Sequence, residues 1–390
     1  MNMKKRTATT RVVTQINRTA ILDCLEENGP LSRKQIGEKT GLSPATVERL
    51  SAAMLAEGIL AHEGMQQSSG GRPSNLLRAA GESRVIAAVD VRRDSAHGLL
   101  RDFGRKTVVT EVVVFDDDPA TGAVSASTRL AGTLALTQRL VEAAAGEKRE
   151  LMGIGISVPG IVHDGRVMNT AELGWRDIAL ASIVASATDL PVHVENDANC
   201  IAFGEWALGA GRGTQSVASY LLGEGVGAGI VNNGEIYRGF RSAAGEVGFL
   251  FTERGALARY FTDQGDLESR IAGIASTHGQ VRLAAPEAMQ RLLDDAAEKI
   301  PSAKDAADEL FDLLAFSCGA LATVLDPEVI VLAGHLARHP AFAIREISAR
   351  LVGRIPFPPR LVAGTLGDDG ALLGVAEIIT RQVRGSTYLA

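Results

Sequence analysis

Between Leu222 and Phe251 the chain reads Leu-Gly-Glu-Gly-Val-Gly-Ala-Gly-Ile, then Asn-Asn-Gly, then Ala-Gly-Glu-Val-Gly-Phe. Glycines 223, 225, 227 and 229 separate two β-rich runs, Ser216–Leu222 and Ile230–Val231, and Asn233-Gly234 is a hairpin signal. Glycine at alternate positions leaves bare backbone that approaches a ligand closely and lets N–H groups converge on an anion. Glu224 stands inside that loop. A carboxylate there is repelled by phosphate oxygens and desolvated beside them, so the loop reads as a phosphate cradle spoiled for phosphate.

Around this stretch, short β-branched runs alternate with helical ones. Arg84–Val91, Thr107–Phe115, Met152–Val158 and Val192–Glu195 read as strands, with an alanine-rich helix over 124–145. The pattern then repeats, with helices expected near 305–325, 341–352 and 371–384 and strands at 329–332 and 360–362. Two rounds of alternation predict two α/β lobes with a cleft between them.

At 390 residues the chain is long enough for several buried cores. No apolar run approaches a membrane span, and the polar start MNMKKRTATT lacks the apolar core of a secretion signal. Cys24, Cys200 and Cys318 are far apart and odd in number, which fits a reducing cytoplasm and neither a disulfide framework nor a metal site. Residues 1–80 carry a net charge of +4 within a chain of net −6, so the remainder carries −10. A basic head on an acidic body is expected where only the head meets a polyanion.

The head bears this out locally. A helix over 17–27 ends at Gly29-Pro30; Ser32-Arg33-Lys34-Gln35 has the form of a capping box; Ser43-Pro44 is an N-cap followed by proline at the first helical position. Two short helices joined by a glycine turn at Gly41 predict a helix-turn-helix, whose second helix enters the major groove N-terminus first. Arg33, Ser43, Ala45, Thr46 and Arg49 are the candidate DNA contacts. A strand at 59–61 and a polar tip at 66–71 read as a wing, from which Arg72 could reach the minor groove. A small helical bundle used for oligomerisation is the competing reading of this head.

In the body, Glu195-Asn-Asp-Ala-Asn lies where a strand passes into a helix, the usual place for residues that face a cleft. Asp197 could take a proton from a hydroxyl, and Asn196 both donates and accepts. A simple helix N-cap is the competing reading of Asp197.

Together these residues resemble the ROK family of repressors and sugar kinases, from about Asn17 to Ile379. The likeness is carried by Gly-Gly-Arg-Pro (70–73), Val-Glu-Asn-Asp-Ala-Asn (194–199), the glycine loop (223–229), Ala-Gly-Glu-Val-Gly (244–248), Asp-Pro-Glu-Val-Ile-Val-Leu-Ala-Gly (326–334) and Gly-Ala-Leu-Leu-Gly-Val-Ala (370–376). The resemblance implies a winged helix-turn-helix over 1–80 and a two-lobed actin-like, hexokinase-type α/β domain. Its small lobe would span 81–195 and be completed by 371–390, with the large lobe at 196–370.

The departures also matter. Family kinases hold ATP phosphates with an Asp-x-Gly-Gly-Thr loop, whereas Arg92, Arg93 and Asp94 follow Asp90 here. In the second phosphate loop the family threonine is Glu224, which leaves Gly223, Glu224, Gly225 and Gly227 as a vestigial loop. The family zinc histidine is Phe249 and no cysteine lies in 259–268, so neither zinc nor ATP is expected. Family sugar contacts map onto Asn196, Asp197, Glu246 and Glu268, with Glu172 in place of an asparagine. This acidic set favours a neutral or amino sugar. The resemblance thus implies a cytoplasmic, sugar-responsive repressor, a homodimer or homotetramer on operator DNA and without enzymatic activity. A fused sugar kinase and a ligand-independent dimerisation body are the alternatives.

Overall fold

The computed structural model describes residues 10–66, 74–118, 122–260, 264–277 and 285–389. In the head, α1 (Thr10–Asn28) is followed by β1 (Leu31–Ser32), α2 (Arg33–Thr40), α3 (Pro44–Ala56), β2 (Leu60–Gln66) and β3 (Ser74–Ala79). Helix α1 begins at Thr10 rather than near Asn17. The capping box at α2 is complete: the Ser32 side chain accepts from the Gln35 N–H, and the Ser32 N–H donates to Gln35 Oε1 at 2.9 Å. Gly41, at φ 73°, closes α2 in the left-handed region, and Ser43 caps α3 with Pro44 at its first turn. Ile21, Leu25, Ile36, Val47, Leu50, Met54 and Leu77 form one buried core beneath a sheet of order β1-β3-β2. The wing is therefore present, while its tip and Arg72 lie outside the described residues.

The first lobe contains β4 (Arg84–Val91), β5 (Ser95–Asp102), β6 (Thr107–Val114), α4 (Ala126–Gly146), β7 (Glu150–Val158), β8 (Ile161–His163), β9 (Arg166–Thr170), β10 (Trp175–Ile178), α5 (Leu180–Thr188) and β11 (Val192–Asn196). Helix α6 (Asp197–Ala207) leads into β12 (Ser216–Leu222), β13 (Val226–Asn232), β14 (Glu235–Ile236), α7 (Asp266–Thr277), α8 (Ala285–Ala297), α9 (Lys304–Leu325), β15 (Val329–Gly334), α10 (Pro340–Leu351), β16 (Arg360–Ala363) and α11 (Gly370–Leu389). The two large sheets have the same plan. One runs β11-β7-β4-β5-β6 and the other β16-β15-β12-β13-β14, each an antiparallel meander extended by two parallel strands. The β4–β5 and β12–β13 turns therefore occupy equivalent places in a duplicated fold.

Alternation along the strands sorts their faces. Ala218, Tyr220, Leu222, Ile330 and Leu332 join the core under α7–α10, whereas Val217, Val329 and Val331 face the other way. In the first sheet Val85, Ala87 and Val89 pack with α4, and Ile86 and Ala88 pack with α6 and α11. Helices α6 and α11 thus form the layer between the sheets, with Arg381 of α11 stacked 4.6 Å from the Trp206 ring. The buried Glu205 carboxylate fastens the end of α6, accepting from the N–H groups of Ala210 and Thr365 at 2.7 Å and Leu366 at 2.9 Å.

Candidate functional site

The site forms where the two sheets present their turns. The 223–229 segment is not a continuous loop. Gly223, Glu224 and Gly225 make the hairpin turn, closed by Leu222 opposite Val226, while Gly227 and Gly229 lie within β13 opposite Leu221 and Ser219. The Gly229 N–H donates to Ser219 Oγ at 3.0 Å, and a Cβ there would lie 2.1 Å from the Ala198 carbonyl oxygen. That glycine serves the close approach of α6 to β13 rather than an anion.

Glu224 Oε2 accepts from Arg93 Nη1, 2.7 Å away on the β4–β5 turn. The neighbouring Arg92 donates to the buried Asp90 carboxylate at 2.7 Å and to the Asp368 carbonyl at 2.8 Å. Both arginines that replace the tight glycine turn are thus neutralised or engaged within the chain.

At the end of β11, Asn196 rather than Asp197 is the helix cap: its Oδ1 accepts from the Asn199 N–H at 3.0 Å. Its amide also donates to Gly160 O at 2.9 Å and Asp197 Oδ1 at 3.1 Å. Asp197 is the first helical residue, and its Oδ1 also accepts from the Ala198 N–H at 2.8 Å. Glu246 projects from a turn held by Gly245, whose φ is 90° and whose added Cβ would meet Ala228 O at 1.9 Å. The N–H of Ala228 bonds the Gly245 carbonyl at 2.8 Å, docking this turn on β13.

Electrostatics ties these residues together. Burial, then the charges of Glu224 and Asp197, push the Glu172 carboxyl up to about 8. Burial, then Asp90 and Glu246, push Asp197 up to about 7, and burial with Glu246 does the same for Glu268. Burial alone raises Glu246. The structure therefore brings the candidate sugar residues Glu172, Asp197, Glu246 and Glu268 within electrostatic reach of one another, with Asn196 bonded to Asp197 and Glu224 beside Glu172.

Native-state acids with raised pKa values hold protons more tightly than the unfolded chain does. Their contribution to stability is complete below the ordinary carboxylate range and is lost as pH rises through about 7 to 8. Thermal unfolding followed by circular dichroism is expected to show a falling midpoint between about pH 5.5 and about pH 8.5. Glu172→Gln should flatten that slope. A midpoint that rises over this window would contradict the assignment.

Glu195, which motif reading placed at the cleft, gains His193 and Arg238 as partners, two residues that motif reading did not single out. The Glu195 carboxylate, whose burial alone would raise it, is held below its ordinary value by His193, Arg238 and Asn199. Arg238 Nε donates to it at 2.7 Å from beyond β14, in the other lobe. His163 and Ser242 make a further cross-lobe contact at 3.0 Å. No local signal announces Arg238, since its partner lies 43 residues away.

In the head, Ala45 and Arg49 are exposed on the first turns of α3. The Ser43 and Thr46 hydroxyls bond each other at 2.9 Å. Arg33 points inward instead, donating to Ser51 Oγ at 2.8 Å and pairing with Glu48 at 3.1 Å, so it fastens α2 to α3.

The segment that relatives would use for zinc does not fit that metal. Phe249 offers no donor, and the buried Asp266 is already bound by Thr252 N–H at 2.7 Å and Arg259 at 2.9 Å. Among the described residues no helix is long and apolar enough to cross a membrane.

Family models match this chain in two places: winged helix-turn-helix DNA-binding over residues 15–61, and ROK family over residues 102–382. The xylose repressor of Bacillus spizizenii is 24% identical over 94% of this chain and 95% of its own length. Other xylose repressors are matched over only 58% to 61% of their own length. A glucokinase of Halalkalibacterium halodurans is 32% identical over 60% of this chain and 78% of its own. The crystal structure of a ROK family transcriptional regulator, a homologue of the Escherichia coli Mlc protein, superimposes with a TM-score of 0.78. It covers 97% of this chain and 98% of that one at 20% identity, which is a likeness of fold. With its winged head and duplicated body, this chain belongs to the ROK family.

Proposed function

We propose that the protein is a sugar-responsive transcriptional repressor that binds operator DNA through α3 and its wing. The ligand is a neutral or amino sugar held in the acidic cleft, and neither ATP nor zinc takes part. One observation carries this reading: an exposed, capped recognition helix is joined to a cleft whose arginines are engaged within the chain. A triphosphate needs uncompensated positive charge, and Glu224 repels it. As a homodimer or homotetramer the protein would present paired heads to half-sites at fixed spacing, so small rotations of the lobes would release DNA.

Thermal shift with D-xylose, D-glucose and D-glucosamine tests the sensing half, since a ligand that binds the native fold must stabilise it. Asp197→Asn is expected to weaken sugar affinity by roughly 10-fold or more, the cost of one charged hydrogen bond. Binding unaffected by that change would remove Asp197 from the sugar site.

The raised Asp197 pKa favours one competing reading, a sugar kinase in which Asp197 is general base. A coupled ATP-dependent phosphorylation assay over the same sugars decides between them. Turnover that Asp197→Asn abolishes would establish the kinase.

A further inference from the structure

Arg93 and Glu224 stand at the tips of the two equivalent hairpins, one in each sheet, 131 residues apart in sequence. We propose that this ion pair is a built-in clasp that closes the cleft at its turn end, so closure needs no nucleotide. The proposal rests on reading the body as a non-catalytic sensor and concerns how that sensor holds its closed form.

Among the described residues other contacts also cross between the lobes, including Arg238 to Glu195, His163 to Ser242 and Arg92 to the Asp368 carbonyl. The clasp differs from the first of these in burial. Glu195 is 2% exposed at its side chain, whereas Arg93 and Glu224 are 43% and 27% exposed. A pair so placed is partly solvated and screened by salt, so it biases an equilibrium rather than locking it, by roughly fivefold at most. That scale suits a sensor, because a ligand shifts a two-state equilibrium only by its own preference for one state.

The pair also excludes competitors. An anion approaching the β12–β13 turn meets the Glu224 carboxylate, and the guanidinium that would attract it already has a partner. Asp94 adds negative charge beside Glu224. Glu172 feels both members of the pair, so a sugar seated against Glu172 would sense whether the clasp is made.

Spin labels read the lobe separation directly. All three native cysteines are buried, so Thr110→Cys on β6 and Ser302→Cys before α9, both exposed, take the labels selectively. In low salt and without sugar or DNA, the labelled protein is expected to show a dominant short distance. Glu224→Gln and Arg93→Ala should each broaden it toward longer separations, as should raised salt. The exchanged pair, Arg93→Glu with Glu224→Arg, should restore the short distance, and magnesium–ATP should leave the parent unchanged. Three results would each overturn the proposal: single variants that match the parent, an exchanged pair that fails to restore the distance, or closure of the parent by magnesium–ATP. Because neither DNA nor sugar is present, failure of the repressor reading would show in other measurements.

Discussion

Replacing Thr46 and Arg49 together by alanine is expected to lower affinity for operator DNA by roughly 100-fold, from about 1–3 kcal/mol per specific contact. Both lie at the N-terminal half of α3, and Arg49 is exposed, so neither change opens the head core. The unfolding temperature should therefore stay within the scatter of the parent while DNA binding falls. Fluorescence anisotropy on a labelled operator measures the loss. Its salt dependence separates the roles: a phosphate contact made by Arg49 reduces the slope of affinity against salt by about one ion. Operator affinity within twofold of the parent would sink the assignment of α3 as the reading helix. Arg33 offers the contrast. Because it is tied to Ser51 and Glu48, Arg33→Ala should loosen the pairing of α2 with α3 before it touches DNA affinity directly.

The second large effect lies at Glu205. Its carboxylate accepts three backbone N–H groups and the Thr365 hydroxyl, linking the end of α6 to the segment that enters α11. Glu205→Ala removes a buried carboxylate and leaves its part-buried donors without that partner, and is expected to cost about 3 kcal/mol. Glu205→Gln keeps the shape but turns one acceptor into a donor facing N–H groups, so it should recover little. Since α6 and α11 form the layer between the sheets, the loss should show as a lowered unfolding midpoint and as weaker sugar binding together. A Glu205→Ala protein with the parent's unfolding midpoint would mean that these bonds contribute no net stability.

Much of the fold was legible because its signals are local. The capping box at Ser32, the Ser43-Pro44 start, the Asn233-Gly234 hairpin and the strand-to-helix passage at Asn196 each depend on neighbours within a few residues. Strand β5 escaped that reading. Its sequence, Ser-Ala-His-Gly-Leu-Leu-Arg-Asp, has no clean alternation, because helices cover both faces of its sheet: Ala96 and Leu100 pack with α4, and Leu99 packs with α6 and α11. Gly98 sits directly under Leu136 and Leu140 of α4, a constraint set by a helix some forty residues away. The small β8–β10 sheet and helices α5, α7 and α8 were missed as well.

The site divides in the same way. Sequence alone supplied Asn196 and Asp197 at a strand-to-helix passage, Glu224 as an intruder among glycines and the arginines after Asp90, and its resemblance to the family added Glu246, Glu268 and Glu172 as candidate sugar groups. It also supplied the separate basic head with its recognition helix. Tertiary structure decided the partnerships. Asn196 became the cap and left the Asp197 carboxylate to the cleft; Glu195 found Arg238 across the lobes; and Glu224 met Arg93. The physical reason is range. Capping and turn chemistry act over one helical turn and are written in adjacent residues. A charge pair needs only proximity of a few ångströms, and which charges come that close is settled by how two duplicated sheets pack around α6 and α11.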